Sequence, residues 1–250
     1  AAPAGTPSTE DPMQPRAPGN HTSSRAPGRS RSSPVAGNRT QPAPVPGEPS
    51  PVKNGGNKTA GGNVSAQGNC LCLFDIDRTL TGRQGDTCGG SNSVVGGVWD
   101  PAYGGGTLTL SALGRAGVSS TFCGACKLGV ISAGSGGGGD MRGRICGGVL
   151  GGRAGCSWSG PGASSPLIVG CHDSHKAACA HGIRAWYKHR GTYIPRSNVF
   201  HFDDKASSVS SFHGSGMNAI QISCSSRSGH TGGCGGTPGE VSRKHGVHHC

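Results

Sequence analysis

The sequence predicts an α/β fold: a Rossmann-like parallel sheet with helices on both faces, preceded by a long disordered tail. Two observations carry this. After residue 69, short apolar runs recur (LCLFDI, KLGVIS, PLIVG, NVFHF, NAIQIS), separated by helical or long irregular crossovers. That is the pattern of strands buried on both faces of a parallel sheet. Before residue 70 there is no Leu, Ile, Phe, Trp, Tyr or Cys, and 12 of the chain's 17 prolines lie there. Such a segment cannot bury enough apolar surface to offset its ordering entropy, so residues 1–69 are expected to be disordered.

The elements follow in order. Residues 71–76 form a short apolar run ending in acidic and turn-forming residues, as a buried strand does. Residues 82–106 read as a loose stretch. A weak helix is expected over 107–115, closed by Gly117 at the position of a C-cap glycine. Residues 127–132 read as the second strand. Residues 133–164 hold 13 glycines in 32 positions, and no regular element is expected there. Residues 166–170 form a third apolar run. The best helix spans 174–189, with Asp173 or Ser174 as its cap and Cys179, Ile183, Trp186 and Arg190 at helical spacing. Residues 198–202 and 218–223 supply the fourth and fifth strands. The expected organisation is a tail over 1–69, one α/β domain over 70–236, and a His-containing C-terminal tail over 237–250.

Composition narrows the functional classes. The net charge of +11 favours anionic partners such as phosphorylated molecules. The charges are scattered and aromatics make up 4% of the chain, so specific nucleic-acid binding is not expected. No run of 18 apolar residues exists, so no membrane span is expected. Of the 48 glycines, 38 follow residue 69, which predicts a small core of marginal stability. The chain begins without Met and shows no signal-peptide pattern, which leaves a processed product or a fragment open. All 12 cysteines follow residue 69, a share below that of a disulfide scaffold, while sequons stand at Asn20, Asn38, Asn57 and Asn63. The compartment stays open between cytoplasm and secretion, with the cytoplasm favoured; the oligomeric state stays open too. His172, His175, His245, His248, His249, Cys171 and Cys250 include zinc-binding types, but their intervals match no standard finger. Cys123 and Cys126 form a CxxC without a thioredoxin-like context.

In a parallel sheet the ligand site lies beyond the carboxyl ends of the strands. Asp75 and Asp77 follow the first strand, Ser132 ends the second, Asp203 and Asp204 end the fourth, and Lys176 opens the helix leading into it. Carboxylates gathered at one sheet edge repel one another unless a cation sits among them, and hard oxygen ligands suit Mg2+. A lysine and a hydroxyl at that edge can hold a phosphoryl group. One carboxylate can attack phosphorus, and a second can pass protons to the leaving group and from water.

The motif DIDRT at 75–79 resembles the DxDx[TV] motif of haloacid dehalogenase superfamily phosphatases. The resemblance implies that Asp75 is the nucleophile and Asp77 the general acid/base. It implies Mg2+ held by Asp75, the backbone carbonyl of Asp77, and Asp203 with Asp204 in support. Thr79 would hold the turn at the phosphate site. VIS at 130–132 is similar to the family's second motif and points to Ser132 as a phosphate ligand; HKAACA looks like the third and points to Lys176; HFDDK is similar to the fourth. Members usually insert a cap domain. Here 52 residues separate Thr79 from Ser132 and 43 separate Ser132 from Lys176, much of both glycine, so little or no cap is expected. An open site suits large phosphorylated substrates, phosphoproteins or polymers, and admits small ones. The implied function is a magnesium-dependent phosphatase acting through an aspartyl-phosphate. Two rivals fit the same residues: a catalytically inactive binding module of this fold, and a secreted disulfide-linked structural protein.

Overall fold

The computed structural model describes residues 69–250. The expected tail and its four sequons lie outside the described residues, Asn69 excepted. The elements begin with strand β1 (Leu71–Phe74), strands β2 (Ser93–Asp100) and β3 (Gly106–Leu110), and helix α1 (Ala112–Ala116). Strand β4 (Lys127–Ile131), helix α2 (Gly139–Gly143), strands β5 (Trp158–Ser159) and β6 (Leu167–Ile168), and helix α3 (Lys176–His189) follow. Then come β7 (Val199–Asp203), α4 (Ala206–Ser210), β8 (Asn218–Gln221), β9 (Arg227–Ser228), β10 (Thr231–Gly232) and β11 (Val247–His248).

Seven strands form one sheet in the order β11-β8-β7-β1-β4-β6-β5. Every pairing in it is parallel. All five apolar runs become strands of this sheet, side by side, with β1 at the centre. Alternation along the strands divides the core in two. Cys72, Phe74, Leu128, Val130, Phe200 and Phe202 face one side; Leu71, Leu73, Ile131, Val199 and Ala219 face the other.

The second side is covered by α3 and α4. Cys179, Ala180, Ile183 and Tyr187 form the buried stripe of α3, and the Tyr187 hydroxyl donates to the Leu128 carbonyl at 2.7 Å. Helix and strand approach so closely that a Cβ on Gly129 would lie 2.7 Å from the Pro166 carbonyl oxygen and 2.8 Å from Leu73. The first side is covered by shorter pieces: the β2–β3 hairpin, α1, the turns around Val118 and Cys123, and α2 with its continuation Arg144–Val149.

Several expectations change. The stretch 82–106 contains the antiparallel β2–β3 hairpin, and 106–110 is strand, with α1 starting only after Ser111. Thr107-Leu108-Thr109-Leu110 alternates with period two and is half β-branched, which suits a strand better than a helix. The helix end at Gly117, with φ 75°, stands as expected. The glycine-rich 133–164 holds α2 and β5, and Met141, Ile145 and Val149 of its helical part reach the core. Neither Asp173 nor Ser174 caps α3, because both belong to a short turn preceding it. Residues 237–250, expected as a tail, supply β11 at the sheet edge, and Cys250 is bonded to Cys224.

All twelve cysteines are paired: Cys70–Cys126, Cys72–Cys123, Cys88–Cys234, Cys146–Cys156, Cys171–Cys179 and Cys224–Cys250. The CxxC thus crosslinks to β1 and its approach, not within itself. No helix among the described residues is long and apolar enough to cross a membrane.

Candidate active site

Asp75 is the first residue beyond β1, its N–H donating to the Phe202 carbonyl at 2.9 Å. Asp203 ends β7 and Asp204 follows it. Since β1 and β7 are adjacent and in register, these three carboxylates meet at the carboxyl edge of the sheet. Among the described residues they are the one group of metal-capable side chains whose ligand atoms all lie within 4.8 Å of one another. All three are buried.

Lys176, at the start of α3, enters this group with 1% exposure. Its Nζ donates to Asp75 Oδ1 at 2.6 Å, to Asp203 Oδ2 at 3.0 Å and to the Ile131 carbonyl at 2.7 Å, so all three protons are used. Burial alone would lower its pKa, but Asp203 and Asp75 outweigh this and raise it, so the ammonium stays charged.

The two adjacent aspartates have different fates. Both oxygens of Asp203 are engaged by protein donors. Oδ2 accepts from Lys176 and lies 3.1 Å from His201 Nε2, and Oδ1 accepts from the Lys205 N–H at 2.8 Å. Burial pushes its carboxyl up, yet Lys176 and His201 prevail and hold it well below the usual range. Asp204 receives only the Gly232 N–H, at 3.0 Å on Oδ2; its Oδ1 is buried without a partner. Burial and the neighbouring Asp203 push Asp204 up to about 7. The Asp204 carbonyl is tied to the Gln221 amide and the Arg227 guanidinium, which fixes its backbone.

Asp75 lies between these extremes. Burial, Asp203, Asp77 and Asp204 push its carboxyl up against the opposing pull of Lys176. Three carboxylates against one ammonium leave two negative charges uncompensated, and a divalent cation would balance them. The donor set fits a hard cation. Asp204 Oδ1 and the second oxygen of Asp75 are free, while Asp203 is already committed to Lys176. The structure therefore exchanges the roles expected for the pair: Asp204 is the better placed ligand, and Asp203 orients the lysine.

Asp77 is half-buried two residues on, and burial together with Asp100 raises it to about 6. It stands apart from the three-carboxylate group. Ser132 follows β4 next to the carbonyl that Lys176 binds, and its Oγ is buried without a partner. Thr79 is fully buried, its hydroxyl likewise unpartnered. Its carbonyl holds the turn, accepting from Gly236 N–H at 2.8 Å and Ser111 Oγ at 2.9 Å.

Two neighbours escaped the sequence reading. His201, fully buried in β7, stacks on Phe212 with ring centroids 4.8 Å apart and points the same way as Asp203, two residues on. A histidine inside the apolar run NVFHF was the signal for it. Asp100 closes β2, 1% exposed, and it reaches the site only through the hairpin, which the sequence did not announce. The histidines and cysteines weighed for zinc form no such group among the described residues, and their cysteines are in disulfides.

Compared with protein-family models, curated proteins and solved structures, the chain matches none of them.

Proposed function

We propose that this chain is a magnesium-dependent phosphate-ester hydrolase working through an aspartyl-phosphate on Asp75, in a haloacid-dehalogenase-like fold with little or no cap. The observation that supports it best is the meeting of Asp75, Lys176 and the unpartnered oxygen of Asp204 at the carboxyl edge of a parallel sheet.

Asp75 Oδ1 is held by Lys176, so attack on phosphorus falls to Oδ2. A bond forms between that oxygen and phosphorus as the ester oxygen leaves, and Asp77 donates the proton that the leaving oxygen needs. A raised Asp77 holds a proton near neutral pH more readily than an ordinary carboxyl. Water then attacks phosphorus, Asp77 takes its proton, and Asp75 is released. Lys176 balances charge on the phosphoryl oxygens, and the Ser132 hydroxyl is a free donor to them. Magnesium, when bound by Asp75 and Asp204, supplies charge neutralisation for the carboxylates and the phosphoryl group.

The six disulfides favour an oxidising compartment over the cytoplasm. They bear on location, not on chemistry. The reading is tested with p-nitrophenyl phosphate: turnover that needs Mg2+, stops with EDTA and is abolished in Asp75→Asn is expected. A folded Asp75→Asn protein that keeps wild-type turnover sinks the nucleophile assignment. A wild-type protein inert on every phosphate ester leaves the binding-module or structural reading.

A further inference from the structure

Asp77 also borders a cavity. Its other walls are Asp100, Pro101 and Ala102 at the tip of the β2–β3 hairpin, and residues 134–137 of the loop after β4. The volume is about 140 Å³, the size that takes a six-membered ring. If Asp77 protonates the leaving oxygen, the leaving group lies against Asp77, and this cavity is the space it would enter.

The walls are set. Asp100 accepts from the Ala102 N–H at 2.9 Å and from the Gln84 side-chain amide at 3.0 Å, while the same amide donates to the Ala102 carbonyl at 2.7 Å. The carboxyl therefore cannot turn away. Opposite, Gly136 has φ +65°, and a Cβ there would lie 2.9 Å from Val169 and 3.2 Å from Ile76. The loop can come this close only without a side chain.

Two carboxyls face the space, and the nearby cations are engaged elsewhere. Arg78 donates to Gln84 at 3.1 Å and lies against the Tyr103 ring at 4.8 Å; Arg142 donates to the Ser135 carbonyl at 2.6 and 3.2 Å. A second anion on the substrate would meet carboxylates without a free counter-charge, whereas hydroxyl groups would find acceptors.

Resting on the phosphatase reading, we infer that this cavity seats the leaving group and selects phosphomonoesters of small, uncharged, hydroxyl-rich alcohols. Esters whose alcohol carries a second anion, and bulky ones, are disfavoured. The sequence-level expectation of large substrates is thereby narrowed.

The test compares kcat/KM of the wild-type protein, disulfides intact and Mg2+ present, on glycerol 2-phosphate, phosphoglycolate and a phosphotyrosine peptide. Glycerol 2-phosphate should lead each of the others by at least about tenfold, the scale on which one pocket discriminates. Asp100→Asn should cut the lead over phosphoglycolate at least about fivefold. Ala102→Phe, which fills the space from the hairpin, keeps the test independent of whether Asp100→Asn folds. It should lower kcat/KM for glycerol 2-phosphate about tenfold while inhibition by inorganic phosphate stays within about twofold. Hydrolysis with phosphoglycolate or the peptide preferred, or an Ala102→Phe enzyme unchanged on glycerol 2-phosphate, overturns this inference alone. Hydrolysis of no ester overturns the phosphatase reading and this inference with it.

Discussion

The two faces of the central sheet are held by different means. On one, the 14-residue α3 lays a continuous stripe of Cys179, Ala180, Ile183 and Tyr187 against β1 and β4. On the other, no helix exceeds five or six residues, glycine is frequent, and the cover is crosslinked: Cys70–Cys126 and Cys72–Cys123 tie it to β1, and Cys146–Cys156 closes its far side. A long amphipathic helix holds itself down by buried area; short turns bury too little each and need covalent help. The division extends to the site. The helix face supplies Lys176 and His201, which aim charge. The crosslinked face supplies the hairpin and glycine loop, which shape the cavity.

The largest expected effect breaks the crosslinked face. The two bonds to β1 span 56 and 51 residues, and Cys171–Cys179 on the helix face spans only 8. Loop closure then assigns about 4 kcal/mol to each of the first two taken singly and about 2.5 kcal/mol to the third. Cys72→Ala with Cys123→Ala should depress the thermal midpoint clearly more than Cys171→Ala with Cys179→Ala. Hydrogen exchange should then show residues 112–126 opening before α3. Equal loss in both variants would mean that the two faces are not held differently.

Next comes the contrast between neighbours. Asp203→Asn removes a carboxylate that Lys176 grips, and breaking a buried ion pair from one side costs about 3–5 kcal/mol, so metal-free stability should fall sharply. Asp204→Asn removes a carboxyl under strain from its neighbour, so metal-free stability should hold or rise, while the Mg2+ needed for half-maximal rate climbs at least about tenfold. Calorimetry and magnesium titration of both variants read the two signs. The same response in both would remove the distinction drawn between ligand and orienting group.

A smaller effect sharpens the helix-face role. His201→Phe keeps the stack on Phe212 but leaves Asp203 Oδ2 with Lys176 alone. It should lower kcat/KM about tenfold, the scale for outer groups that orient a ligand, with partial recovery in His201→Gln. An unchanged rate in a folded variant would reduce the histidine to core packing.

The smallest effect is with pH. Asp77, at about 6, and Asp204, at about 7, stand above the roughly 3.9 of an unfolded aspartate. Between those values the metal-free folded state binds protons that the unfolded chain has released, so stability declines as pH rises through that window. Asp203, held low, acts oppositely: its stabilisation is present above the unfolded value and is lost as pH falls through its own. The metal-free midpoint should therefore drop by a few degrees from about pH 5 to pH 8, and saturating Mg2+ should flatten the slope. A metal-free profile already flat would show that the carboxyls are not under mutual strain.

Apolar runs wrote the sheet into the sequence. Five short runs of branched and aromatic residues were legible as strands because burial on both faces leaves no room for polar alternation. Their acidic ends placed Asp75, Asp203 and Asp204 at one edge, and Lys176 was legible at the head of the one long amphipathic helix. Tertiary structure decided the rest. The β2–β3 hairpin is built from a glycine-interrupted segment whose half-exposed strands leave only a weak period-two signal. The disulfide partners are far apart in sequence, and spacing cannot pair twelve cysteines. Likewise, no local pattern distinguishes Asp203 from Asp204. They sit side by side in the chain, and only the packing of α3 and β7 gives one of them the lysine and the histidine and leaves the other a buried oxygen with nothing to bind.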